Sequence, residues 1–410
     1  MTNYSTLELQ GKLLNTQFAI VFGKESMLKN AKSRLNLFVF LSLIVIIFTL
    51  RTIVFNAQSQ GSTSLFEPFK IVVNSSFISP LDEFFGDVSI GRKVFIASNT
   101  IIRAEPNTRI CIGDRTNFQD NILFLALRRN TAPPSACGAK SSSTGERVSI
   151  AHQANIENSQ IGNFTFIGFH TRLRNVVLED GAFVLHGAIL SNVRIGKNRL
   201  VPIGAVITTQ AQADALPLKT EANSKFQEEV LEVNVEFAEN YSHLYEEAGF
   251  DAVTGVSTAP KTSWNPKPVK PTIGQNVKLD EFARIVGDVR LGNNSTVGQR
   301  TSIRADEGTP IIIGENAQVE DRVTFHALRG TSIRIGKNLD TSDNIVFHGP
   351  LEVGDNLTIG DDTVLFRSKV GNDVTIGSEA IVVDVTLQNG VKVPDRAIIT
   401  TQKQADALVR

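Results

Sequence analysis

The chain has 410 residues, enough for two or three domains. Its 41 Lys and Arg residues balance 42 Asp and Glu residues, so the charge gives no indication of a nucleic-acid partner. The only cysteines, Cys111 and Cys137, exclude a disulfide framework and a thiolate zinc site, and leave either one bridge or two free thiols.

The first predicted element is a transmembrane anchor over residues 35–55, whose only charge is Arg51. This apolar stretch matches the ~20 residues that a helix needs to cross a bilayer. Four basic residues precede it within 24–34 and no charge occurs in 52–66, so the positive-inside rule places segment 1–34 on the cytoplasmic side. The remainder is then expected across the membrane, in a periplasm, lumen or intermembrane space. A cleaved signal peptide or a buried core helix fits the stretch less well.

An apolar residue, replaced once by Thr341, then recurs at mostly six-residue steps. In the first half the repeat comprises Ile78, Phe84, Ile90, Ile96, Ile102, Ile112, Phe118, Phe124, Ile150, Ile156, Ile161, Ile167, Leu173, Leu178, Val184, Leu190, Ile195, Val201 and Ile207. In the second half it comprises Leu279, Ile285, Leu291, Val297, Ile303, Ile313, Val319, Phe325, Ile335, Thr341, Phe347, Val353, Ile359, Leu365, Val370, Ile376, Val382, Leu387, Val393 and Ile399. A six-residue period with one inward apolar side chain predicts a triangular β-solenoid, in which three hexads make one coil.

The two halves share their irregularities, which indicates a tandem duplication. Both skip ten positions at the same point, from Ile102 to Ile112 and from Ile303 to Ile313. The predicted solenoid domains are 70–217 and 270–410, separated by a helix and a Pro-rich linker over 218–269. The first half also carries an insertion over 128–147, rich in Ser, Ala and Pro, that is expected to be a surface loop.

Several stretches resemble the γ-class carbonic anhydrase family over nearly the whole of both halves. They are IIRAEPN, IGDRTNFQDNILFLAL, VSIAHQANIE and VPIGAVITTQAQADAL in the first half, and SIRADEG, IGENAQVEDRVTFHAL, IVFHGPLEVGDN and ITTQKQADAL in the second. The resemblance implies a mainly β fold of two left-handed parallel β-helix (hexapeptide-repeat) domains with accessory helices. It also implies trimers of β-helices with a metal at each interface, two histidines coming from one helix and one from its neighbour.

Neither half has all three of the family's histidine ligands. The second half keeps His326 and His348, where the first half has Leu125 and Glu157, and the first keeps His152, where the second has Asp343. The family's glutamine near the metal is Gln119 in the first half and Glu320 in the second. The acidic pair is Asp306 and Glu307 in the second half, against Glu105 and Pro106 in the first.

The retained residues sort by face of the solenoid. Gln119 and His152 follow second-side hexads of the first half, whereas His326 and His348 stack on the third side of the second half. We therefore expect one composite site, with the second side of domain 1 against the third side of domain 2, where His152, His326 and His348 bind one metal.

The resemblance assigns a chemistry to this composite site. Three neutral imidazoles leave a fourth position on Zn²⁺ for a water whose pKa falls to ~7, and the resulting hydroxide would attack CO2 to give bicarbonate. Gln119 would orient the nucleophile and Glu307, with Asp306 as second choice, would relay the proton; Fe²⁺ or Co²⁺ are alternatives to zinc. Arg103 with Asp120, and Arg304 with Asp321, match the family's intersubunit ion-pair residues.

Two other functions remain open at this point: a non-catalytic carbonic-anhydrase-like scaffold of a membrane complex, and a hexapeptide acyltransferase with one histidine as general base. Asp343 could instead complete a two-His-one-carboxylate site in a trimer of second domains. His170 and His186 are expected to be ordinary surface or interface residues, and His243 to be exposed. Because threefold packing does not divide into two domains per chain, an oligomer or a complex with other γ-type β-helices is expected.

Overall fold

The computed structural model describes residues 72–73, 75–127 and 142–409, and all of these belong to one compact unit. They form two consecutive triangular β-solenoids, each built from three sheets of short, almost entirely parallel strands. The prediction of a mainly β chain with two repeated solenoid domains is confirmed.

The first solenoid has three sheets, named 1a, 1b and 1c. Sheet 1a comprises Val72–Val73, Ser76–Ile78, Phe95–Ile96, Asn117–Phe118, Ser149–Ile150, Phe166–Ile167, Phe183–Val184 and Leu200–Val201. Sheet 1b comprises Glu83–Phe85, Ile101–Ala104, Leu123–Ala126, Asn155–Glu157, Arg172–Arg174, Ile189–Ser191 and Val206–Ile207. Sheet 1c comprises Val88–Ile90, Ile110–Ile112, Ser142–Thr144, Gln160–Ile161, Val177–Leu178 and Arg194–Ile195.

The second solenoid has sheets 2a, 2b and 2c. Sheet 2a comprises Val256–Ser257, Arg284–Gly287, Ser302–Ala305, Thr324–Ala327, Val346–Gly349, Val364–Phe366, Ile381–Val383 and Ile398–Ile399. Sheet 2b comprises Thr272–Ile273, Val289–Leu291, Ile311–Ile313, Ile333–Ile335, Leu351–Val353, Lys369–Val370 and Thr386–Leu387. Sheet 2c comprises Lys278–Leu279, Thr296–Val297, Gln318–Val319, Asp340–Thr341, Thr358–Ile359, Thr375–Ile376 and Lys392–Val393.

Helices occur at the ends of the solenoids. Helix α1 spans Gln210–Asp214, α2 spans Glu221–Ala248 and α3 spans Gln402–Asp406, and a 3₁₀ turn spans Phe250–Ala252. Helix α2 begins with a capping box between Thr220 and Asn223, and it ends at Gly249, whose φ of +79° suits glycine. The helix predicted for the linker is thus present.

The hexad repeat creates both the core and the corners. The inward residues of each solenoid form one continuous buried cluster. Corners repeatedly place a residue in the left-handed region, such as Asn121 with φ 60° and Gln153 with φ 61°. The Ile-Gly pairs have a steric cause, because a Cβ on Gly113 would lie 2.3 Å from the Gly145 carbonyl oxygen in the next coil. Close stacking of coils therefore selects glycine there.

Sheets 1a and 2a pack against each other, and this contact positions the functional residues. Their outward apolar side chains form a mixed cluster that includes Phe166 and Phe183 from sheet 1a, and Val346, Val364 and Phe366 from sheet 2a. Helix α2 and the following segment cover the other end of sheet 1a through a second cluster. The face pairing is the one that the composite-site hypothesis requires.

Two further predictions concern the cysteines and the insertion of the first half. Cys111, on the strand between Val88–Ile90 and Ser142–Thr144 in sheet 1c, is disulfide-bonded, and Cys137 lies outside the described residues. Of the predicted insertion 128–147, residues 142–144 are instead a strand of sheet 1c.

The predicted single-pass membrane localisation is corrected. Within residues 72–409 as far as they are described, no helix has the length and apolarity that a bilayer crossing requires. The longest described helix, α2, carries charged side chains along most of its length. The predicted anchor over 35–55 and the segment 1–34 lie outside the described residues.

Candidate metal centre

Three histidines from the two solenoids meet between sheets 1a and 2a. His152 follows the strand Ser149–Ile150, whereas His326 and His348 lie in register on adjacent strands of sheet 2a. The ring centroid of His152 is 5.2 Å from that of His326 and 5.6 Å from that of His348, and the latter two are 5.3 Å apart. One nitrogen from each ring lies within 4.8 Å of the others, and all three residues are buried.

Several ring nitrogens of these histidines lack hydrogen-bond partners, as a metal ligand would without its ion. The Nε2 atom of His152 and both ring nitrogens of His326 are buried without a hydrogen-bond partner. Burial lowers the pKa of His152 to about 4 and lowers the pKa of His348 well below its usual value, so both rings are neutral at neutral pH. Buried polar atoms without partners are costly, and a cation shared by the three rings would satisfy them. The residues present therefore fit a metal ion.

Asp120 supports His152 from behind. Its Oδ2 lies 3.2 Å from Nδ1 of His152 and 3.0 Å from Nε of Arg304, and its Oδ1 accepts a hydrogen bond of 2.8 Å from Ser302. Burial opposes ionisation, but Arg304 and His152 hold the pKa of Asp120 well below its usual range. The backbone N–H of Asp120 also points to Nδ1, at 3.2 Å, and donates to it when Nδ1 carries no proton. The charged acceptor is the stronger partner, so it favours a proton on Nδ1 and leaves Nε2 free.

Two acidic residues lie beside His326. The His326 Nε2 atom is 3.3 Å from Oδ1 of Asp306 and 3.7 Å from Oε2 of Glu307. The other oxygen of Asp306, Oδ2, accepts hydrogen bonds of 2.5 Å from the Tyr241 hydroxyl and 2.9 Å from Arg304. Glu307 is less engaged, since Oε1 accepts only from the Arg329 amide at 2.9 Å, and burial raises its pKa. Of the two predicted proton relays, Glu307 has the freer carboxylate.

Gln119 lies in the coil adjacent to His152 on the same sheet. The backbone N–H of Gln119 donates to the Ile150 carbonyl, so Gln119 lies beside Ala151, the residue before His152. The side chain is buried and its Oε1 has no hydrogen-bond partner. An acceptor is thus available on the interface side of sheet 1a.

The four predicted ion-pair residues behave differently from one another. Arg304 and Asp120 pair across the solenoid interface, as above. Arg103 instead pairs within its own solenoid with Glu105, at 2.6 Å, and its side chain is 52% exposed. Asp321 accepts from the Gln299 amide at 2.7 Å, at a corner of sheet 2c. The structure therefore brings one arginine and one aspartate together and leaves their counterparts apart.

The remaining predicted residues take no part in the cluster. His186 is buried and stacks on Phe169 with centroids 4.4 Å apart, which makes it an interface residue. His243 is exposed on α2, as expected. Asp343 lies elsewhere and accepts from the Asp321 backbone N–H at 3.1 Å. Within this chain, His152 is the third member of the cluster.

Sequence reasoning missed the residues that cover the site. Tyr241 comes from α2, and Trp264 from the Pro-rich linker donates Nε1–H to the Asp306 carbonyl at 2.9 Å. Phe169 closes the opposite side, with its ring 4.9 Å from that of His348. The signal for Trp264 was its occurrence as the only tryptophan of the chain, between two prolines.

Comparisons with known proteins identify relatives of this chain. No family model matches the chain. The carbonic anhydrase of Methanosarcina thermophila is 32% identical over 188 residues, which cover 43% of this chain and 76% of that protein. The carboxysome assembly protein CcmM of Nostoc sp. is 38% identical over 161 residues, which cover 39% and 29%. The mitochondrial gamma carbonic anhydrase 1 of Arabidopsis thaliana is 30% identical over 144 residues, which cover 35% and 49%.

The extent of these matches differs. The chain spans less than a third of the Nostoc protein and about half of the Arabidopsis protein, but three quarters of the archaeal enzyme. Together with the solenoid architecture and the three converging histidines, this likeness shows that the chain belongs to the γ-class carbonic anhydrase family.

Proposed function

We propose that the chain is a carbonic anhydrase that interconverts CO2 and bicarbonate at a single composite site between its two solenoids. The observation that carries the proposal is the convergence of the buried His152, His326 and His348, whose ligand atoms all lie within 4.8 Å of one another. Zn²⁺ is the proposed metal, with Fe²⁺ or Co²⁺ as alternatives, because three imidazoles suit all of them. Bound there, the ion would act as a Lewis acid that makes water nucleophilic near neutral pH.

The protein's own groups would prepare the site for this reaction. Asp120 holds His152 in the tautomer that presents Nε2 to the metal. Gln119 offers its free Oε1 as an acceptor that orients the attacking water. Phe169 and the apolar cluster behind it exclude bulk water, which strengthens the electrostatic interactions inside the site.

Glu307 is the proposed proton relay. Its Oε2 is 3.7 Å from His326, and its pKa is raised by burial, which suits a group that must gain and lose a proton at moderate pH. Asp306 is the weaker candidate, because Tyr241 and Arg304 occupy one of its oxygens and hold its pKa low. We assign Asp306 a positioning role beside His326.

The experiment is a metal analysis of the full chain combined with CO2 hydration kinetics. The chain should contain one ion, and His152→Ala should lose it although both histidines of the second solenoid remain. His243→Ala is the matched control, because this histidine is exposed on α2 and outside the cluster. Unchanged metal content in His152→Ala would show that the two solenoids do not share a site.

A second candidate function is a carbonic-anhydrase-like assembly subunit without catalysis. It is favoured by the similarity to a protein named for carboxysome assembly. A chain that holds its metal but hydrates CO2 no faster than buffer would support this alternative. Association with further γ-type β-helices is likewise a proposal, tested by the mass of the purified particle in solution.

A further inference from the structure

A groove of about 340 Å³ runs along the corner where the two solenoids meet, outside the metal centre. One wall is the corner between sheets 1a and 1b, and the other is the corner between sheets 2c and 2a. The walls are joined by hydrogen bonds from Asn99 Nδ2 to the Arg300 carbonyl, at 3.1 Å, and from Gln153 Nε2 to the Ile345 carbonyl, at 3.3 Å. The groove is therefore a built feature of the interface.

Three guanidinium groups line this groove, with one carboxylate, that of Asp362. Arg172 pairs with Asp362 at 3.0 Å, and Arg300 pairs with Glu83. Arg322 has no carboxylate partner among the ion pairs of the described residues. The lining thus carries one uncompensated positive charge, which favours an anion.

Three acceptor atoms on residues of the groove wall have no hydrogen-bond donor. They are Oδ1 of Asn99, Oε1 of Gln153 and Nε2 of His170. Asn99 is only 4% exposed, so its oxygen has little access to bulk water. The His170 ring also contacts the Asn344 backbone, and its Nε2 is buried without a partner. An occupant that satisfies these atoms must supply hydrogen-bond donors.

We propose that the groove binds a small oxyanion that carries a hydroxyl group, of the class of hydrogencarbonate or hydrogenphosphate. Its charged oxygens would accept from Arg322, where planar guanidinium geometry suits two oxygens at once. Its hydroxyl would donate to Asn99 or Gln153. The site is independent of the metal chemistry, but Gln153 directly follows His152, so occupancy would brace the same interface.

The test is isothermal titration of the full chain with hydrogencarbonate, phosphate and nitrate. Nitrate is a planar monoanion without a hydroxyl group, so it is expected to bind at least about tenfold more weakly than the hydroxylated anions. The tighter of hydrogencarbonate and phosphate identifies the source of the ligand. Arg322→Gln should weaken that binding at least about tenfold. Arg334→Gln, an exposed arginine on sheet 2b, is the matched control and should leave it unchanged.

The outcomes separate this site from the catalytic proposal. Nitrate binding as tight as hydrogencarbonate, or equal affinities in wild type and Arg322→Gln, would overturn the groove site whatever the CO2 hydration rate is. Groove binding with no CO2 hydration would leave this proposal standing and remove the catalytic one. Arg322 does not belong to the metal centre, so metal content should be the same in both arginine variants.

Discussion

Replacing Asp120 by Asn tests how the interface charge supports the metal centre. The side chain is fully buried and lies between Arg304 and His152. Removing one member of a buried ion pair costs about 3–5 kcal/mol. Because Arg304 keeps Asp306 at 2.9 Å, we expect the lower end, about 3 kcal/mol of unfolding free energy. Loss of the charged acceptor should also weaken metal binding about 10–100-fold.

Urea unfolding and a competitive metal titration measure these two effects. Asp321→Asn is the matched control, since Asp321 occupies the equivalent position of the second solenoid and its Oδ1 accepts one backbone hydrogen bond that Asn can keep. We expect it to change stability by about 0.5 kcal/mol or less. Equal losses of unfolding free energy in both variants would show that the contact between Asp120 and Arg304 does not stabilise the fold. Normal metal affinity in Asp120→Asn would refute the positioning of His152 by this carboxylate.

Four further outcomes are expected. Phe169→Ala should lower the free energy of unfolding, measured in urea, by about 3–5 kcal/mol. The exposed Phe250→Ala should change it little, and equal losses in both variants would show that Phe169 has no special role at the interface. Tyr241→Phe removes the hydrogen bond to Asp306 and should cost about 1.5–3 kcal/mol; an unchanged unfolding midpoint would mean that this bond contributes nothing. Burial lowers the pKa of His186 to about 3, so its contribution to stability is complete above about pH 6.5 and falls by about 1.4 kcal/mol per unit as the pH drops towards 3. His186→Asn should flatten this acid slope between about pH 7 and about pH 5, and an unaltered slope would contradict the assignment. A chelator should lower the free energy of unfolding of the wild type, by about 2.7 kcal/mol where free metal had been at a hundredfold excess over its Kd, and should leave that of His152→Ala unchanged.

The solenoid fold and the convergence of three histidines from its two halves could be predicted from the sequence. One inward residue per hexad fixes which neighbours face outward, so the face of each histidine follows from counting alone. Because His152 belongs to one side and His326 and His348 to another, the sorting by face predicted which sheets meet. Both inferences depend on local periodicity, which the chain carries explicitly.

The covering of the site could not be predicted in the same way. The apolar positions of α2 predict a helix and one buried stripe, but the rotation that brings the Tyr241 hydroxyl to Asp306 depends on packing against sheet 1a. The sequence predicts a linker in the Pro-rich segment, whereas Val256–Ser257 joins sheet 2a and Trp264 contacts the site. The predicted membrane localisation was wrong. It depended on one apolar stretch, and no helix among the described residues could cross a membrane.

The covalent link through α2 has a consequence for how the centre forms. Two half-sites on one polypeptide meet at an effective concentration set by the tether, in the millimolar range for short connections, whatever the amount of protein present. Ligands divided between separate subunits would come apart on dilution. Here the three-histidine cluster should survive in a cell that makes only a few copies of the chain, and its two halves are always made in equal numbers.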